Sequence, residues 1–291
     1  MIRRKSFRLK LRRRELVLGP RTLIMGVLNV TPDSFSDGGK YSRVTDAVRA
    51  ALSMQRAGAD ILDIGAESTR PGSTGISAAE ELARLLPVLE ALRAKLKIPI
   101  SVDTRKAAVA EIALGAGAEI VNDVSGLQHD ARLAEVTARH GAGLVLMHMR
   151  GTPETMQKLP FAKNLLRDVM AGLRKSIAAA RQAGVRKSRI IIDPGIGFGK
   201  SFAQNYELLA KLPELTKLGY PLLVGTSRKG FIGKVLVSGK RKTPPVEQRI
   251  WGTAATVVVS ILNGAHIVRV HDVAEMAQAA RVADAVLEAG R

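Results

Sequence analysis

Polar and charged side chains stand at the ends of a series of apolar stretches in this 291-residue chain. Carboxylates and amides can hydrogen-bond the edge of a flat, nitrogen-rich ring, whereas lysine, arginine and histidine can bind phosphate oxygens. If one fold gathers these ends, the pattern predicts a pocket for a polar heterocycle with a phosphorylated tail. In chain order the residues are Asn29, Asp63 with Glu67, Asp103, Asn122 with Asp123, His148, Asp193, Ser227 with Arg228 and Lys229, and Arg269 with His271.

The members of this set divide by charge. The ring-binding group is predicted to be Asp103, Asn122 and Asp193, and the phosphate-binding cations are predicted to be Lys229, Arg269 and His271. The side-chain oxygen of Asn29 is a candidate ligand for a hard cation such as magnesium, which keeps several waters and also binds substrate phosphates. Because the sequence contains no HxH or HExxH motif and no cysteine, a histidine- or thiolate-based metal site is not expected.

The elements that must position these residues are eight apolar stretches that alternate with segments of helical periodicity. Continuous apolar runs of this length suit strands buried on both faces. The predicted strands are Thr22 to Asn29, Asp60 to Gly65, Ile98 to Asp103, Ala118 to Asp123, Gly143 to His148, Ile190 to Asp193, Pro221 to Thr226 and His266 to Asp272.

Eight strands joined by helical crossovers predict a single (β/α)8 TIM barrel, with the active site at the carboxyl ends of the strands. An open doubly wound sheet is the alternative, but no GxGxxG turn follows the first strand. We therefore predict a basic N-terminal arm over residues 1–20 and one barrel domain over residues 21–291. Phosphate is predicted near the last two strands, as in many barrels.

The net charge of +19 suggests a second class of function, binding to nucleic acid or to an anionic surface. Eight of the 45 basic residues lie in the first fourteen positions, but aromatic residues are only 3% of the chain and do not interleave with the basic ones. A solvated basic surface is therefore favoured, with no specific nucleic acid and no membrane as partner. The lack of a long apolar run and of cysteine favours the cytoplasm. Deletion of Met1 to Arg14 is expected to leave turnover unchanged.

Several residues of the set also have simpler structural interpretations. Asp63 and Glu67 are expected to be buried acids paired with Arg70 or Arg105. His148 is expected to be a hydrogen-bonded residue of the barrel rim and His266 a structural residue at the opposite end. Trp251 and Met147 are expected in the core rather than against a cofactor.

Nine ordered segments together resemble the signatures of the dihydropteroate synthase family, the pterin-binding barrels of folate biosynthesis. The resemblance runs from about Thr22 to Val286. The segments are GVLNVTPDSFSDGG (from Gly26), DIGAESTRPGS (from Asp63), SVDTRK (from Ser101), NDVSG (from Asn122), HMRGTPETMQ (from His148), DPGIGFGK (from Asp193), GTSRKGFIG (from Gly225), RIWGTAA (from Arg249) and RVHDV (from Arg269).

The resemblance implies a transferase that condenses 6-hydroxymethyl-7,8-dihydropterin pyrophosphate with para-aminobenzoate to 7,8-dihydropteroate and pyrophosphate. It implies catalytic roles for Asp103, Lys229, Arg269 and His271. The pterin pocket carries over to Asp103, Asn122, Met147, Asp193, Phe198 and Lys229. The aminobenzoate pocket carries over to Phe35, Thr69, Pro71, Phe198 and Lys229. The pyrophosphate site carries over to Asn29, Arg70, Arg269 and His271, with Mg²⁺ at Asn29.

The same resemblance implies a homodimer, formed through the last helices, and a target for sulfonamides. No insertion stands beside Phe35, so sulfonamide sensitivity is expected, although Gly230 departs from the larger residue of many relatives. The rival within this fold is a methyltetrahydrofolate-binding methyltransferase, which would share Asp103, Asn122 and Asp193. That rival has no need of the SRK, RVH and TRPGS segments that this chain contains.

Overall fold

The computed structural model describes residues 4–31, 40–158, 161–237 and 243–290. Two short antiparallel strands come first, β1 (Phe7–Lys10) and β2 (Glu15–Leu18). Eight strands of a parallel barrel follow, each buried along most or all of its length. They are β3 (Leu23–Asn29), β4 (Ile61–Gly65), β5 (Ile100–Asp103), β6 (Ile120–Asp123), β7 (Gly143–Met147), β8 (Ile190–Asp193), β9 (Leu223–Val224) and β10 (Ile267–Val270).

The strand order confirms the predicted (β/α)8 barrel. Consecutive strands pair in parallel from β3 to β8, and β10 pairs with both β3 and β9. A parallel bridge between Ile192 and Leu222 joins β8 to β9 and completes the ring. All the carboxyl ends of the strands therefore lie at one mouth of the barrel.

Helices alternate with the strands on the outside of the barrel. They are α1 (Lys40–Arg56), α2 (Ala78–Leu92), α3 (Ala107–Gly115), α4 (Arg132–His140), α5 (Leu165–Gln182), α6 (Phe202–Ala210), α7 (Leu212–Thr216), α8 (Gly230–Val235), α9 (Ile250–Leu262) and α10 (Val273–Ala289). No helix within the described ranges is long and apolar enough to span a membrane.

Local sequence signals set several helix ends. Ser77 caps α2 by accepting a hydrogen bond from the amide of Glu80, and Ser201 forms a capping box with Gln204 at α6. Gly141 ends α4 with a φ of 62°, a conformation that glycine adopts without strain. These short-range bonds satisfy amide and carbonyl groups that a helix end leaves unpaired.

The arm forms a hairpin against the amino-terminal end of the barrel. Leu9, Leu11 and Leu18 are buried in one apolar cluster with the lowest inward-facing side chains of the strands, such as Ile61, Ile120 and Ile267. Leu11 lies so close to Gly143 that a Cβ there would come within 2.9 Å of its side chain. The arm was predicted as a basic segment separate from the barrel domain; its described residues cover the end of the barrel opposite the mouth.

Candidate active site

The two-residue period of a strand places the polar side chains at the mouth. On β4, β6, β8 and β10 an isoleucine lies in the apolar cluster at the amino-terminal end, and the residue two positions later is polar. Because alternate residues face the same side of a strand, these second residues point into the barrel one layer higher. The four pairs are Ile61 with Asp63, Ile120 with Asn122, Ile191 with Asp193, and Ile267 with Arg269.

Arg269 joins two carboxylates across this upper layer. Its Nε donates to Asp63 Oδ2 at 2.6 Å, and its Nη2 donates to Asp103 Oδ2 at 2.7 Å. Asn122 Nδ2 also donates to Asp63 Oδ2, at 3.0 Å. The expectation that Asp63 pairs with Arg70 or Arg105 is wrong, because its charge is met by Arg269 from inside the barrel. Glu67 does pair with Arg105, at 3.0 Å, and with Lys106, at 2.8 Å.

Two oxygens of this network have no hydrogen-bond partner among the described residues. Within the described part of the chain, Oδ1 of Asp63 and Oδ1 of Asp103 are buried and make no hydrogen bond. Burial raises the pKa of Asp103 to about 7; Arg269 opposes this shift and Asp63 adds to it. A buried carboxyl with a free oxygen at the mouth can hydrogen-bond a ring nitrogen or amino group.

Asp193, at the end of β8, and Lys229, in the loop after β9, form a second polar group around the glycine-rich turn that follows β8. Asp193 Oδ1 accepts a hydrogen bond from the amide of Gly195 at 2.7 Å, and burial raises the pKa of this carboxyl while Lys229 opposes the shift. Lys229 Nζ donates to the carbonyl of Ile196 and lies 4.7 Å from the centre of the Phe198 ring. Burial lowers the pKa of Lys229 to about 8, with Asp193 acting against it. Lys229 therefore carries a positive charge at neutral pH, between a carboxylate and an aromatic face.

The loops after β9 and β10 bring further donors to the mouth. His271 Nδ1 lies 3.0 Å from Ser227 Oγ, and Arg228 makes an ion pair with Asp272. Burial lowers the pKa of His271 to about 4, and the nearby Arg269 and Arg228 lower it further. The expectation that His271 is a cation is therefore not met, because its ring is neutral at pH 7 and offers a hydrogen bond rather than a charge.

Comparisons with known proteins identify the family of this chain. The model of the family described as pterin binding enzyme matches residues 25–271. A dihydropteroate synthase of a Synechocystis species is 50% identical over 268 residues, which are 92% of this chain and 91% of that protein. The chain belongs to the dihydropteroate synthase family.

Solved structures of dihydropteroate synthases have the same fold. The Yersinia pestis enzyme in complex with a sulfonamide drug matches with a TM-score of 0.89 at 43% identity, over 97% of this chain and 100% of that one. The Xanthomonas albilineans enzyme with 4-aminobenzoic acid matches with a TM-score of 0.88 at 44% identity, over 97% of this chain and 99% of that one. The resemblance seen in the sequence is thus confirmed, and none of these relatives is named as a methyltransferase.

The loop residues assigned by resemblance to the dihydropteroate synthase family lie in the loop that follows β4. Thr69 is half-buried, whereas Arg70 and Pro71 are exposed. The amide of Gly72 donates to the carbonyl of Pro153 at 2.9 Å, which ties this loop to the one after β7. Arg70 lies close enough to His271 to contribute to the lowering of its pKa. Phe35, predicted in the aminobenzoate pocket, lies outside the described residues.

Apolar side chains form one wall of the same mouth. Met147 is buried in a cluster with Val124, Met149 and Met156, against which Phe198 packs. Met147 is thus both a core residue, as expected, and a member of the cluster against which Phe198, assigned to both substrate pockets, packs. Trp251 was also expected in the core, but this is wrong: it lies on α9 and is 81% exposed.

Sequence reasoning did not single out Lys200 or the partner of Asp63. Lys200 closes the DPGIGFGK segment, and it is buried beside His148 rather than exposed as a lysine usually is. The sequence feature that could have indicated its burial is its position after three alternate glycines, which bring the backbone close to neighbouring loops. No comparable signal marks the Asp63–Arg269 pair, since the two residues are 206 positions apart.

Proposed function

We propose that this chain binds 6-hydroxymethyl-7,8-dihydropterin pyrophosphate and para-aminobenzoate at the mouth of the barrel and condenses them to 7,8-dihydropteroate with release of pyrophosphate. The observation that carries this proposal is the convergence of Asp103, Asn122, Asp193 and Lys229, from four different strands or loops, on one mouth. Membership of the dihydropteroate synthase family supports the same reaction.

The pterin ring would lie between the two carboxyl groups. Asp103 Oδ1 is buried and unbonded within the described residues, and Asp193 lies opposite on β8. Asn122 holds Asp63, and through it the orientation of Arg269. Met147 and Phe198 would contact the faces of the ring, because both lie in the apolar wall beside Asp193.

The aminobenzoate would bind farther out, between the β4 loop and the β8 turn. Thr69 and Pro71 lie on the first of these and Phe198 on the second, with Lys229 over the Phe198 ring. Lys229 is positively charged at neutral pH, so it can attract the carboxylate of the acid or an oxygen of the pterin. Phe35 is assigned to this pocket from the family resemblance alone.

The pyrophosphate would bind where Asn29, Arg70, Arg269 and His271 come together. Asn29 Oδ1 and Asp103 Oδ2 lie on the same side of Gly65, 3.8 and 3.7 Å from the position that a Cβ there would take. Asp103 Oδ2 is engaged by Arg269, so the hard oxygen donor that fits Mg²⁺ is Asn29 Oδ1; magnesium needs few protein ligands when phosphates supply others. Bound there, Mg²⁺ would supply Lewis-acid stabilisation of the departing pyrophosphate.

The chemistry needs charge stabilisation more than a strong base. The bond between the pterin methylene and the pyrophosphate oxygen breaks, which leaves positive charge on the carbon, and the amine nitrogen then forms the new bond and releases a proton. Asp103 and Asp193 would stabilise the positive charge, while Arg269 would stabilise the leaving group together with a hydrogen bond from His271. An arylamine is already a nucleophile, so none of these residues has to deprotonate it.

We further infer a homodimer that buries the outer faces of α9 and α10. Trp251 and Val259 on α9, and Val282 and Val286 on α10, are exposed apolar side chains spaced along these helices. The two helices pack against each other, so the four residues belong to neighbouring surfaces. Exposed apolar patches of this kind are typical of subunit interfaces.

The test of the proposed reaction is direct. Purified protein with Mg²⁺, the pterin pyrophosphate and labelled para-aminobenzoate should give labelled dihydropteroate and an equal amount of pyrophosphate. Asp193→Ala should abolish pterin binding, whereas Thr69→Val should mainly raise KM for para-aminobenzoate. No product above that of a heat-denatured sample would overturn the proposed function.

A further inference from the structure

Lys200 is buried directly beneath the turn that carries Asp193 and Phe198. It is 2% exposed, and its ammonium group has three acceptors. Nζ lies 3.0 Å from the carbonyl oxygen of Phe198, 3.2 Å from the carbonyl oxygen of His148 and 3.2 Å from His148 Nδ1. Burial lowers the pKa of Lys200 to about 7, with Asp193 acting against the shift, and the protonated form has one donor for each of these three acceptors.

His148 is the side-chain partner of Lys200. Burial lowers the pKa of His148 to about 3, so the ring is neutral. A protonated Lys200 can only donate, and in that state Nδ1 accepts and the ring proton is on Nε2, which lies 3.5 Å from Asp168 Oδ2. Helix α5 also confines the ring, since a Cβ on Gly172 would lie 2.5 Å from His148 Cδ2. The acceptor for Lys200 is therefore held by α5 and cannot move away with the turn.

The turn itself is packed against the same carbonyl group. A Cβ on Gly195 would lie 1.9 Å from the carbonyl oxygen of His148 and 3.3 Å from Lys200 Nζ. Lys200 thus joins the end of β7 to the turn after β8, and the bond to the Phe198 carbonyl fixes the residue whose ring lies 4.7 Å from Lys229 Nζ.

We propose that Lys200 is a positioning residue that sets the place of the Phe198 ring, and through it the aminobenzoate half of the site. This inference rests on the proposed function. Lys200 touches neither substrate: it acts by tying the backbone of Phe198 to the fixed carbonyl and ring of His148. The pterin half depends on it less: Phe198 supplies one apolar contact there, whereas Asp193 is oriented by the amide of Gly195 and Lys229 acts on its carboxylate more strongly than Lys200 does.

The test is a comparison of Lys200→Met, which keeps the length of the side chain and removes its donors, with Lys211→Met, an exposed lysine paired with Glu207. Loss of hydrogen bonds to a charged group should raise KM for para-aminobenzoate about tenfold or more in Lys200→Met. The same variant should keep kcat and KM for the pterin pyrophosphate within about threefold of the wild type. Lys211→Met should match the wild type in all three values.

A double-mutant cycle with Phe198→Ala separates positioning from a general loss of structure. If Lys200 acts through the Phe198 ring, Lys200→Met should change KM for para-aminobenzoate by less than about twofold when Phe198 is already alanine. An undiminished effect in that background, or an equal rise in KM for both substrates, would overturn the inference. Should Lys200→Met fail to fold, Lys200→Gln, whose amide keeps two donors, is measured in the same cycle and judged by the same outcomes.

The wild-type assay distinguishes a failure of the proposed function from a failure of the role proposed for Lys200. A wild-type protein that forms no dihydropteroate contradicts the proposed function itself. A wild-type protein that forms it, together with a Lys200→Met variant of unchanged KM for para-aminobenzoate, contradicts only the role of Lys200.

Discussion

Asp103 is subject to two opposing effects at the mouth of the barrel. Burial favours its neutral form, whereas the guanidinium of Arg269, 2.7 Å away, favours its carboxylate. Burial is the larger effect and raises the pKa of Asp103 to about 7, so its protonated and ionised forms are both populated at neutral pH. The carboxylate is the form that can stabilise positive charge on a pterin.

We expect the Asp103 carboxyl to titrate near pH 7 in the folded protein. The ¹³C chemical shift of its carboxyl carbon, assigned by comparison with Asp103→Asn, should move with a midpoint far above the ordinary value of about 4. In Arg269→Met the midpoint should move higher still, because the opposing cation is lost. A wild-type midpoint near 4 would contradict the assignment.

The same shift has a consequence for folding stability. Between about pH 4 and pH 7 the folded chain binds a proton at Asp103 that the unfolded chain has released. The contribution of Asp103 to stability is therefore greatest below pH 4 and is lost as the pH rises to about 7. Urea denaturation at a series of pH values should show the free energy of unfolding of the wild type falling between about pH 4 and pH 7. The part of this fall that Asp103 causes should be absent from Asp103→Asn.

For single residues, the sequence predicted which side chains meet at the mouth of the barrel, but it did not predict which of them form ion pairs and hydrogen bonds with one another. Asp103, Asn122, Asp193 and Lys229 follow strands, so a barrel brings them together whatever its details. The ion pair between Asp63 and Arg269 forms because the arginine side chain extends across the barrel interior. No local sequence pattern predicts such a contact. The neutral state of His271 likewise depends on burial and on two neighbouring arginines.

Among the elements, the turn after β8 has the strictest backbone requirement near the site. Gly195 has a φ of 69°, and a Cβ there would overlap the carbonyl oxygen of His148. The residue therefore has to be glycine for both conformational and steric reasons. This close approach also brings the Asp193 carboxylate within hydrogen-bonding distance of the Gly195 amide.

Gly195→Ala should consequently disrupt both stability and pterin binding. The matched control is Gly72→Ala, at a φ of 81° with no atom within 4 Å of its Cβ position, which bears only the conformational strain of about 1–2 kcal/mol. Urea denaturation and calorimetric titration with the pterin should show a clearly larger loss in Gly195→Ala. Equal losses in the two variants would show that the overlap with His148 is relieved at no cost.

The strands were predicted well because each is a short apolar run bounded by polar or glycine residues. One helical segment is divided and one strand is shorter than predicted. Helix α6 ends at Ala210, and the chain continues as α7 after Lys211, ahead of Pro213. The predicted strand from Pro221 to Thr226 is reduced to Leu223–Val224, although Pro221 accepts a hydrogen bond from Ile192 and Leu222 forms the closing bridge.

In the molecule as a whole, the hairpin and the active site occupy opposite ends of the barrel. The apolar residues Phe7, Leu9 and Leu11 alternate with the basic residues Arg8 and Lys10, a two-residue period that is a strand signal within the arm. The basic composition of the arm obscured this signal. Deletion of Met1 to Arg14 would remove Leu9 and Leu11 from the core, so it cannot be a neutral test of nucleic-acid binding.

Substitution of one leucine tests the structural role of the hairpin without deleting it. Leu9→Ala should lower the free energy of unfolding by about 2–4 kcal/mol, because it leaves a cavity in the cluster at the barrel end. Val17→Ala, at a residue 49% exposed on the paired strand, should change it by less than about 0.5 kcal/mol. Both variants should retain wild-type kcat at 25 °C, and a reduced kcat in folded Leu9→Ala would contradict the separation of the two ends.

The proposed dimer can be followed with the single tryptophan of the chain. Trp251 is 81% exposed in one subunit, so its fluorescence should resemble that of tryptophan in water when the protein is dilute and shift to shorter wavelength as subunits associate.

Val282→Lys introduces a charge into the inferred interface, where burial of an unpaired charge is costly. That variant should keep the long-wavelength emission and the sedimentation coefficient of a monomer at concentrations at which the wild type is a dimer. Val17→Lys, at an exposed residue of β2 outside the inferred interface, should associate as the wild type does. A wild type that sediments as a monomer at all concentrations, with unchanged emission, would refute the dimer.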